Sequence, residues 1–148
     1  MRDYRKIEAW KLADDFTVAV YESTRAFPRE ELYGLTSQLR RAAYSVPANI
    51  AEGSSRESQR DYLHFLYIAR GSLTEAQYFV HLAQRLGYLS PAQADALTLQ
   101  TSGAFSRLHG LIRAVEKEAG SVRKLVAGIS SALVLLFLHS PQSVVCSP

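Results

Sequence analysis

The chain has 148 residues, of which 47% are hydrophobic and 21% are charged, and its formal net charge is +3. This balance is typical of one globular domain with a buried core, and it argues against a largely disordered protein. A single cysteine, Cys146, excludes an intrachain disulfide framework and a multi-thiolate zinc site, so we expect a cytoplasmic protein. The charged N-terminus lacks the apolar run of a secretory signal, so no export is predicted.

Apolar and small residues recur at alternating spacings of four and three along four segments, which predicts four amphipathic helices. The first two stripes consist of these positions: Ala9, Ala13, Phe16, Val20 and Phe27, then Leu35, Leu39, Ala42, Val46 and Ile50. Phe27 followed by Pro28 is expected to stop the first helix. Pro47 lies inside the second pattern and removes a backbone donor, so we expect one helix with a kink near Ala43 or Tyr44.

The third and fourth segments carry longer stripes, which are Tyr62, Leu66, Ala69, Leu73, Ala76, Val80 and Ala83, then Leu97, Thr101, Ala104, Leu108, Leu111 and Val115. Ser58 is expected to cap the third helix and Gly87 to end it, while Ser90 and Gln93 form a capping box for the fourth. Gly71, in the middle of the third helix, predicts tight packing against a neighbour. Short loops favour antiparallel neighbours, so the predicted fold is all-α, an antiparallel up-down-up-down four-helix bundle.

The C-terminal region differs in composition from the rest. Residues 121–148 carry two basic and no acidic side chains, and the run LVAGISSALVLLFL from Leu125 to Leu138 has no charge. We predict a bundle over residues 1–120 and an atypical apolar tail over residues 121–148, which forms an extra helix or is disordered. A helix of fourteen residues spans about 21 Å, short of the roughly 30 Å hydrocarbon core, so membrane insertion of the tail is the less favoured alternative. Ser140 to Pro148 is expected to lack structure.

The sequence offers no assembled catalytic chemistry. The four histidines lie outside metal-binding motifs, and Asp61 with His64 supplies only half of the paired acid-x-x-His pattern of a di-iron bundle. Neither a glycine-rich phosphate loop nor a nucleophile elbow occurs in the sequence. We therefore predict no enzyme activity, no catalytic residues, no metal and no cofactor.

The carboxylate of Glu75, in the third helix, is predicted to pair with a cation. Glu75 lies between apolar neighbours, where a carboxylate needs a cation, and Arg40 or Arg41 on the second helix is the expected supplier. We interpret this as a buried structural ion pair that fixes the register of the two helices. A general base is the alternative.

Several motifs occur in order between residues 4 and 118. They are the run QLRRAAYSVPANIAEG from Gln38 to Gly53, the GSL-x-E pattern of residues 71–75, and the LGYL turn of residues 86–89. Together they resemble the small four-helix bundle proteins encoded in intervening sequences of bacterial 23S rRNA genes. The resemblance implies a homo-oligomer, expected as a pentamer, with no known enzymatic activity and a role in binding RNA. Accessory proteins of diversity-generating retroelements are similar in fold. The family supplies no catalytic residues, and the tail departs from its pattern.

Alternating helix directions place the N-terminus, the loop between helices two and three, and the end of helix four at one pole of the bundle. Ten basic and seven acidic side chains give this pole a charge of +3, whereas the opposite pole carries −1. The expected nucleic-acid-binding residues at the basic pole are Arg2, Lys6, Arg56, Arg60 and Lys117. Tyr4 and Trp10 either stack on bases or serve in packing.

The charge of one protomer is modest, but five copies of the basic pole would present a closely spaced cationic surface. The predicted function is therefore a non-enzymatic oligomeric bundle that binds structured RNA. The alternative is a protein-binding scaffold or assembly module without nucleic acid, tethered to a membrane if the tail inserts.

Overall fold

A computed structural model describes the backbone of residues 2–138 and the side chains of residues 2–120, and the regular structure of this part is helical throughout. The four α-helices are α1 (Glu8–Ser23), α2 (Leu35–Ser54), α3 (Gln59–Arg85) and α4 (Pro91–Leu138). Short 3₁₀ turns precede α1 and connect it to α2. The predicted all-α class is confirmed.

The chain divides into two compact units, Met1–Glu116 and Lys117–Pro148, with the boundary inside α4. The backbone of residues 121–138 is helical, because α4 continues to Leu138. The expectation for Ser140 to Pro148 lies outside the described residues, and membrane insertion of residues 125–138 depends on side chains that are also outside them. Within the part of the chain that was described, no helix has the length and apolar character needed to cross a membrane.

The four helices of the first unit share one hydrophobic core. Every position of the first three predicted stripes is buried, and burying a leucine or phenylalanine side chain contributes about 1.5–3 kcal/mol. The fourth stripe is shifted at one point: Ile112 is buried, whereas Leu111 is only half-buried against the core. The spacing of four and three therefore predicts the core faces almost position by position.

Contacts between neighbouring helices show that each pair is antiparallel. Residue numbers rise on one helix as they fall on the other, as in these contacts across α1–α2 and α2–α3: Thr17 with Ala43, Thr24 with Arg40, Arg41 with Glu75, Ser45 with Ser72, and Gly53 with Phe65. The start of α3 meets the end of the first unit's part of α4 through Tyr67 and Glu116. The up-down-up-down order of the bundle is confirmed for residues 2–116.

The helix ends use the residues that the sequence predicts. Ser58 Oγ accepts a hydrogen bond from the backbone N–H of Asp61 at 3.0 Å. At the start of α4, Gln93 Oε1 accepts from the Ser90 backbone N–H at 2.9 Å, and Ser90 Oγ accepts from the Gln93 N–H at 3.3 Å. Gly87 has a φ of +76°, the left-handed conformation that ends α3. These caps fix where each long helix begins and turns.

Pro47 lies inside α2, which continues through it as one helix. Proline has no N–H, so the carbonyl of Ala43 loses its usual helical partner. Thr17 of α1 compensates, because its Oγ1 lies 3.1 Å from the Ala43 oxygen as well as 2.8 Å from the Ala13 oxygen of its own helix. The Thr17 hydroxyl has one proton, which the Ala43 carbonyl shares with the Ala13 carbonyl, so the carbonyl that Pro47 leaves free links α2 to α1.

Two glycines have opposite roles. At Gly53, near the end of α2, an added Cβ would lie 2.8 Å from Phe65 Cβ and 3.0 Å from the Tyr62 ring, so the close approach of α2 to α3 requires glycine. Gly71 is exposed, and an added Cβ would meet nothing within 4 Å. The prediction that Gly71 packs tightly against a neighbour is therefore wrong within the protomer, because this residue lies on the outer face of α3.

The ion pair of Glu75 forms with Arg41, one of the two expected partners, but it differs from the expectation in burial. Arg41 Nη2 donates to Glu75 Oε1 at 2.9 Å, and the two side chains are 51% and 38% exposed. Arg40 instead donates from Nε to Thr24 Oγ1 at 2.8 Å, with its guanidinium 4.8 Å from the Tyr21 ring centroid. The carboxylate is half-exposed because Glu75 lies at the edge of the α2–α3 contact. The expectation of a buried pair is wrong, and pairs this exposed contribute only about 0–1 kcal/mol.

The link from Thr17 to the Ala43 carbonyl can be tested by a double-mutant cycle. Thr17→Val keeps the shape of the side chain but leaves the Ala43 carbonyl without a donor, so we expect urea denaturation to show a loss of about 1–2 kcal/mol. In a Pro47→Ala background the loss should shrink, because alanine restores the N–H. Thr74→Val is the matched control, since its hydroxyl donates to the Arg70 carbonyl on an exposed surface. An equal loss in both backgrounds would contradict this account.

The exposure of the Arg41–Glu75 pair predicts a small effect of Glu75→Gln. We expect the free energy of unfolding to fall by less than about 1 kcal/mol, and the difference from the wild type to vanish at high salt. Thermal denaturation at low and high salt measures both quantities. A loss of several kcal/mol that persists in salt would restore the original expectation of a buried pair.

Candidate nucleic-acid interface

The N-terminal segment lies against the turn between α2 and α3. The backbone N–H of Arg2 donates to the Ser54 carbonyl at 3.2 Å, and the Arg2 guanidinium is 4.6 Å from the ring centroid of Tyr62. Tyr62 belongs to the first turn of α3 and is fully buried in the core. Arg2 is thus held at the same end of the bundle as the α2–α3 turn.

Arg56, in the α2–α3 turn, is held by two contacts. It forms an ion pair with Glu52 one turn earlier in the chain, and its guanidinium lies 4.8 Å from the ring centroid of Phe65. Its side chain is still 43% exposed. Arg56, one of the expected nucleic-acid-binding residues, therefore has a defined position and a competing carboxylate.

Arg60 and Lys6 are the cations of this group without such constraints. Arg60 is the second residue of α3, and Lys6 is the last residue of the 3₁₀ turn before α1. Both are exposed, and neither side chain forms a hydrogen bond or ion pair with a described residue. They are therefore available to a charged ligand.

Lys117 is exposed on α4 and is the first residue of the second unit. Its expected role at the basic pole stays a prediction. Of the five predicted nucleic-acid-binding residues, the structure places Arg2 and Arg56 around the α2–α3 turn, and Arg60 follows Arg56 by four residues.

The aromatic pair at the N-terminus is engaged in packing. Tyr4 and Trp10 form an edge-to-face contact with ring centroids 5.0 Å apart, and Trp10 packs against the hydrophobic core. Arg5 lies 5.6 Å from the Tyr4 ring centroid. Both rings are half-buried, which favours the packing interpretation over base stacking.

Acidic side chains reduce the charge of this end. Lys11 Nζ donates to Glu8 Oε1 at 2.6 Å, and this hydrogen bond, with the charge of Lys11, lowers the pKa of the Glu8 carboxyl. The Ser58 hydroxyl donates to the Asp61 carboxylate at 2.7 Å. Because these groups are already partnered, net charge alone is a poor guide to which cations can meet a phosphate.

The described residues contain no group of three or more histidine, cysteine, aspartate and glutamate side chains that could hold a metal ion. His64, from the half-motif in the sequence, lies with its ring centroid 5.8 Å from that of Phe65.

A second group of cations lies at the other end of α2. Arg25, Arg29 and Arg40 line a cavity of about 160 Å³ together with the hydroxyl residues Thr24 and Thr36. The net charge of this pole does not reveal the group, because the sum of its basic and acidic side chains is negative. The sequence feature that could have revealed this group is a pair of arginines, Arg25 and Arg29, on either side of the Phe27–Pro28 turn.

The chain is similar to known proteins in both sequence and fold. A protein-family model described as 23S rRNA-intervening sequence protein matches residues 5–110. Among solved structures, the chain is similar to a protein with unknown function from the S23 ribosomal protein family of Bacteroides thetaiotaomicron VPI-5482, with a TM-score of 0.65 and 21% sequence identity. That match covers 70% of this chain and 97% of the other, and at this identity it establishes the shared fold alone. No curated protein matches the chain. Because the family model spans more than half of its length, the chain belongs to the 23S rRNA-intervening sequence protein family.

Proposed function

We propose that this chain is a non-catalytic RNA-binding bundle that acts in the cytoplasm as a homo-oligomer, expected as a pentamer. Its phosphate-binding surface is the end of the bundle formed by the N-terminal segment and the α2–α3 turn. The observation that carries the proposal is the placement of two held guanidinium groups, on Arg2 and Arg56, around the turn that leads to the unpartnered Arg60.

The aromatic contacts of Arg2 and Arg56 suit phosphate binding. Stacking on a ring uses the flat face of a guanidinium, and its N–H donors point outward in the plane, where a phosphate accepts two of them. A side chain that is already held loses less conformational entropy when it binds. Arg56 must exchange its ion pair with Glu52 for the phosphate, whereas Arg60 pays no such cost.

Copy number determines the affinity. Each neutralised phosphate releases counterions, so the binding constant grows steeply with the number of phosphates contacted. One protomer offers a few contacts, and a ring of protomers multiplies them. Lys117 is a further proposed contributor.

Arg60→Ala should weaken binding to a structured fragment of 23S rRNA several-fold or more, and should reduce the slope of log K against log salt by about one for each engaged copy. Arg85→Ala is the matched control, because Arg85 is the last residue of α3, is equally exposed, and has no ion pair with a described residue. Filter binding or fluorescence anisotropy over a salt series measures both quantities.

Two results would contradict the RNA proposal. Equal losses for Arg60→Ala and Arg85→Ala would show that the cations act without regard to position. Absence of binding by the wild-type oligomer at low salt would favour the alternative function, a protein-binding scaffold without nucleic acid.

The outer face of α3 supports the proposed self-association. Tyr67, Ile68 and Tyr78 are 38%, 39% and 57% exposed there, and Gly71 lies between them with open space around it. Exposed aromatic and aliphatic side chains around a residue without a side chain allow the helix of another copy to approach closely. We assign this face to contact with a second copy of the chain.

Gly71→Leu should leave the protomer folded, because its Cβ meets nothing within 4 Å, but should lower the mass of the oligomer measured by light scattering. Gly110→Leu is the matched control, since Gly110 is also exposed inside a helix with open space around it. Replacing an exposed helical glycine is expected to stabilise the protomer by about 1 kcal/mol. If Gly71→Leu shows this stabilisation and the mass of the oligomer is unchanged, the interface lies elsewhere.

A further inference from the structure

The cavity between the α1–α2 connection and the start of α2 has the chemistry of an anion site. Arg25, Arg29 and Arg40 line it, and no carboxylate does. Its volume of about 160 Å³ is close to the roughly 150 Å³ of a cavity that holds a benzene-sized molecule, so a phosphate group fits within it. The side chains of Arg25 and Arg29 form no hydrogen bond or ion pair with any described residue.

Thr36 lines this cavity, and its hydroxyl is buried without a hydrogen-bond partner among the described residues. Thr36 is 4% exposed, and its Oγ1 has no hydrogen-bond partner within the described part of the chain. The other buried threonine and serine hydroxyls of the described core are bonded to backbone carbonyls, as follows: Thr24 to Val20, Ser54 to Ala51, and Thr101 to Thr98. A buried hydroxyl without a partner costs about 1–3 kcal/mol, and rotation of the Thr36 side chain toward the cavity would let a ligand accept its hydrogen bond.

The neighbouring groups leave the cations available. Arg40 is fixed through its Nε bond to Thr24 and its contact with the Tyr21 ring, contacts that use Nε and the face of the guanidinium. Glu31 is the carboxylate in this turn that is only half-exposed, and its two oxygens accept from the Leu35 N–H at 2.9 Å and from the Tyr88 hydroxyl at 3.2 Å. Glu22 and Glu30 are exposed and lie outside the cavity lining.

A groove rich in tyrosine adjoins the cavity. Tyr21, Tyr33 and Tyr44 line this groove, and it shares Thr36 and Arg40 with the cavity. Tyr33 is 89% exposed, an unusual state for so large an aromatic side chain. A ring of this kind offers a stacking surface for a base, and stacking contributes affinity without requiring a particular base.

We propose that the cavity and groove bind a nucleoside monophosphate group, with the phosphate among Arg25, Arg29 and the Thr36 hydroxyl and the base against Tyr33. The group is either a free nucleotide or the 5′-phosphorylated end of an RNA. This site goes beyond the RNA surface proposed above, because it lies at the opposite end of α2 and uses none of its residues.

Calorimetric titration of the full chain with adenosine 5′-monophosphate tests the site, with adenosine as the comparison that lacks the phosphate. We expect the monophosphate to bind and adenosine to bind at least about tenfold more weakly. Arg29→Gln and Thr36→Val should each weaken monophosphate binding by roughly tenfold. Thr36→Val should leave the melting temperature of the unliganded protein unchanged or higher, because the hydroxyl it removes bonds to none of the described residues.

Arg85→Gln is the control for nonspecific charge and should retain full binding. Short oligonucleotides of one sequence, with and without a 5′-phosphate, distinguish the two sources: preference for the phosphorylated form identifies an RNA end, and binding of the free nucleotide alone identifies a nucleotide. The proposal is overturned if the monophosphate does not bind, or if Arg29→Gln and Thr36→Val bind it as tightly as the wild type. Failure of Arg60→Ala to affect rRNA binding would refute the RNA surface and leave this result untouched.

Discussion

The close approach of α2 to α3 is the contact on which the other features depend. It requires Gly53, because a Cβ at this position would collide with Phe65 at 2.8 Å. Midway along the interface, Ser45 and Ser72 exchange a hydrogen bond at 3.0 Å between their hydroxyls. Without this approach Phe65 would not lie under the guanidinium of Arg56, and the turn between the helices would lose its ordered cation. Helix packing and the charged surface therefore arise from the same residues.

Pro47 extends this dependence to α1. The carbonyl that it leaves without a donor faces Thr17, so a defect inside α2 becomes a specific contact with the neighbouring helix. A bundle held only by apolar stripes tolerates sliding of one helix along another, because leucine and alanine contacts are not directional. Polar contacts at fixed positions restrict that sliding. The family motif between Gln38 and Gly53 contains both Pro47 and Ser45, and the structure gives each of them a contact that sets register.

The core could be predicted from the sequence because helical periodicity assigns each residue to a face without knowledge of the partner. The same periodicity could have corrected one error: Gly71 lies two residues from Ala69 and two from Leu73, about 200° around the helix from each, so it faces outward. Side-chain pairing could not be predicted in this way. Arg40 and Arg41 are equally plausible partners of Glu75 in the sequence. Only the folded structure shows that Arg40 donates to Thr24, while Arg41 donates to Glu75.

Net charge fails as a guide to anion binding for a similar reason. The end of the bundle with the α1–α2 turn is net negative in the sequence, yet Glu31 accepts hydrogen bonds from the Leu35 N–H and from the Tyr88 hydroxyl of the α3–α4 connection. The charged residues that line the cavity beside it are all arginines. Whether a surface binds a phosphate depends on which of its cations lack an acidic partner, and not on its net charge. The two proposed sites are separated by the length of α2, which is about 30 Å for its 20 residues. A single nucleotide cannot reach both, so the two proposed sites would bind different phosphates, either on one long RNA or on separate ligands.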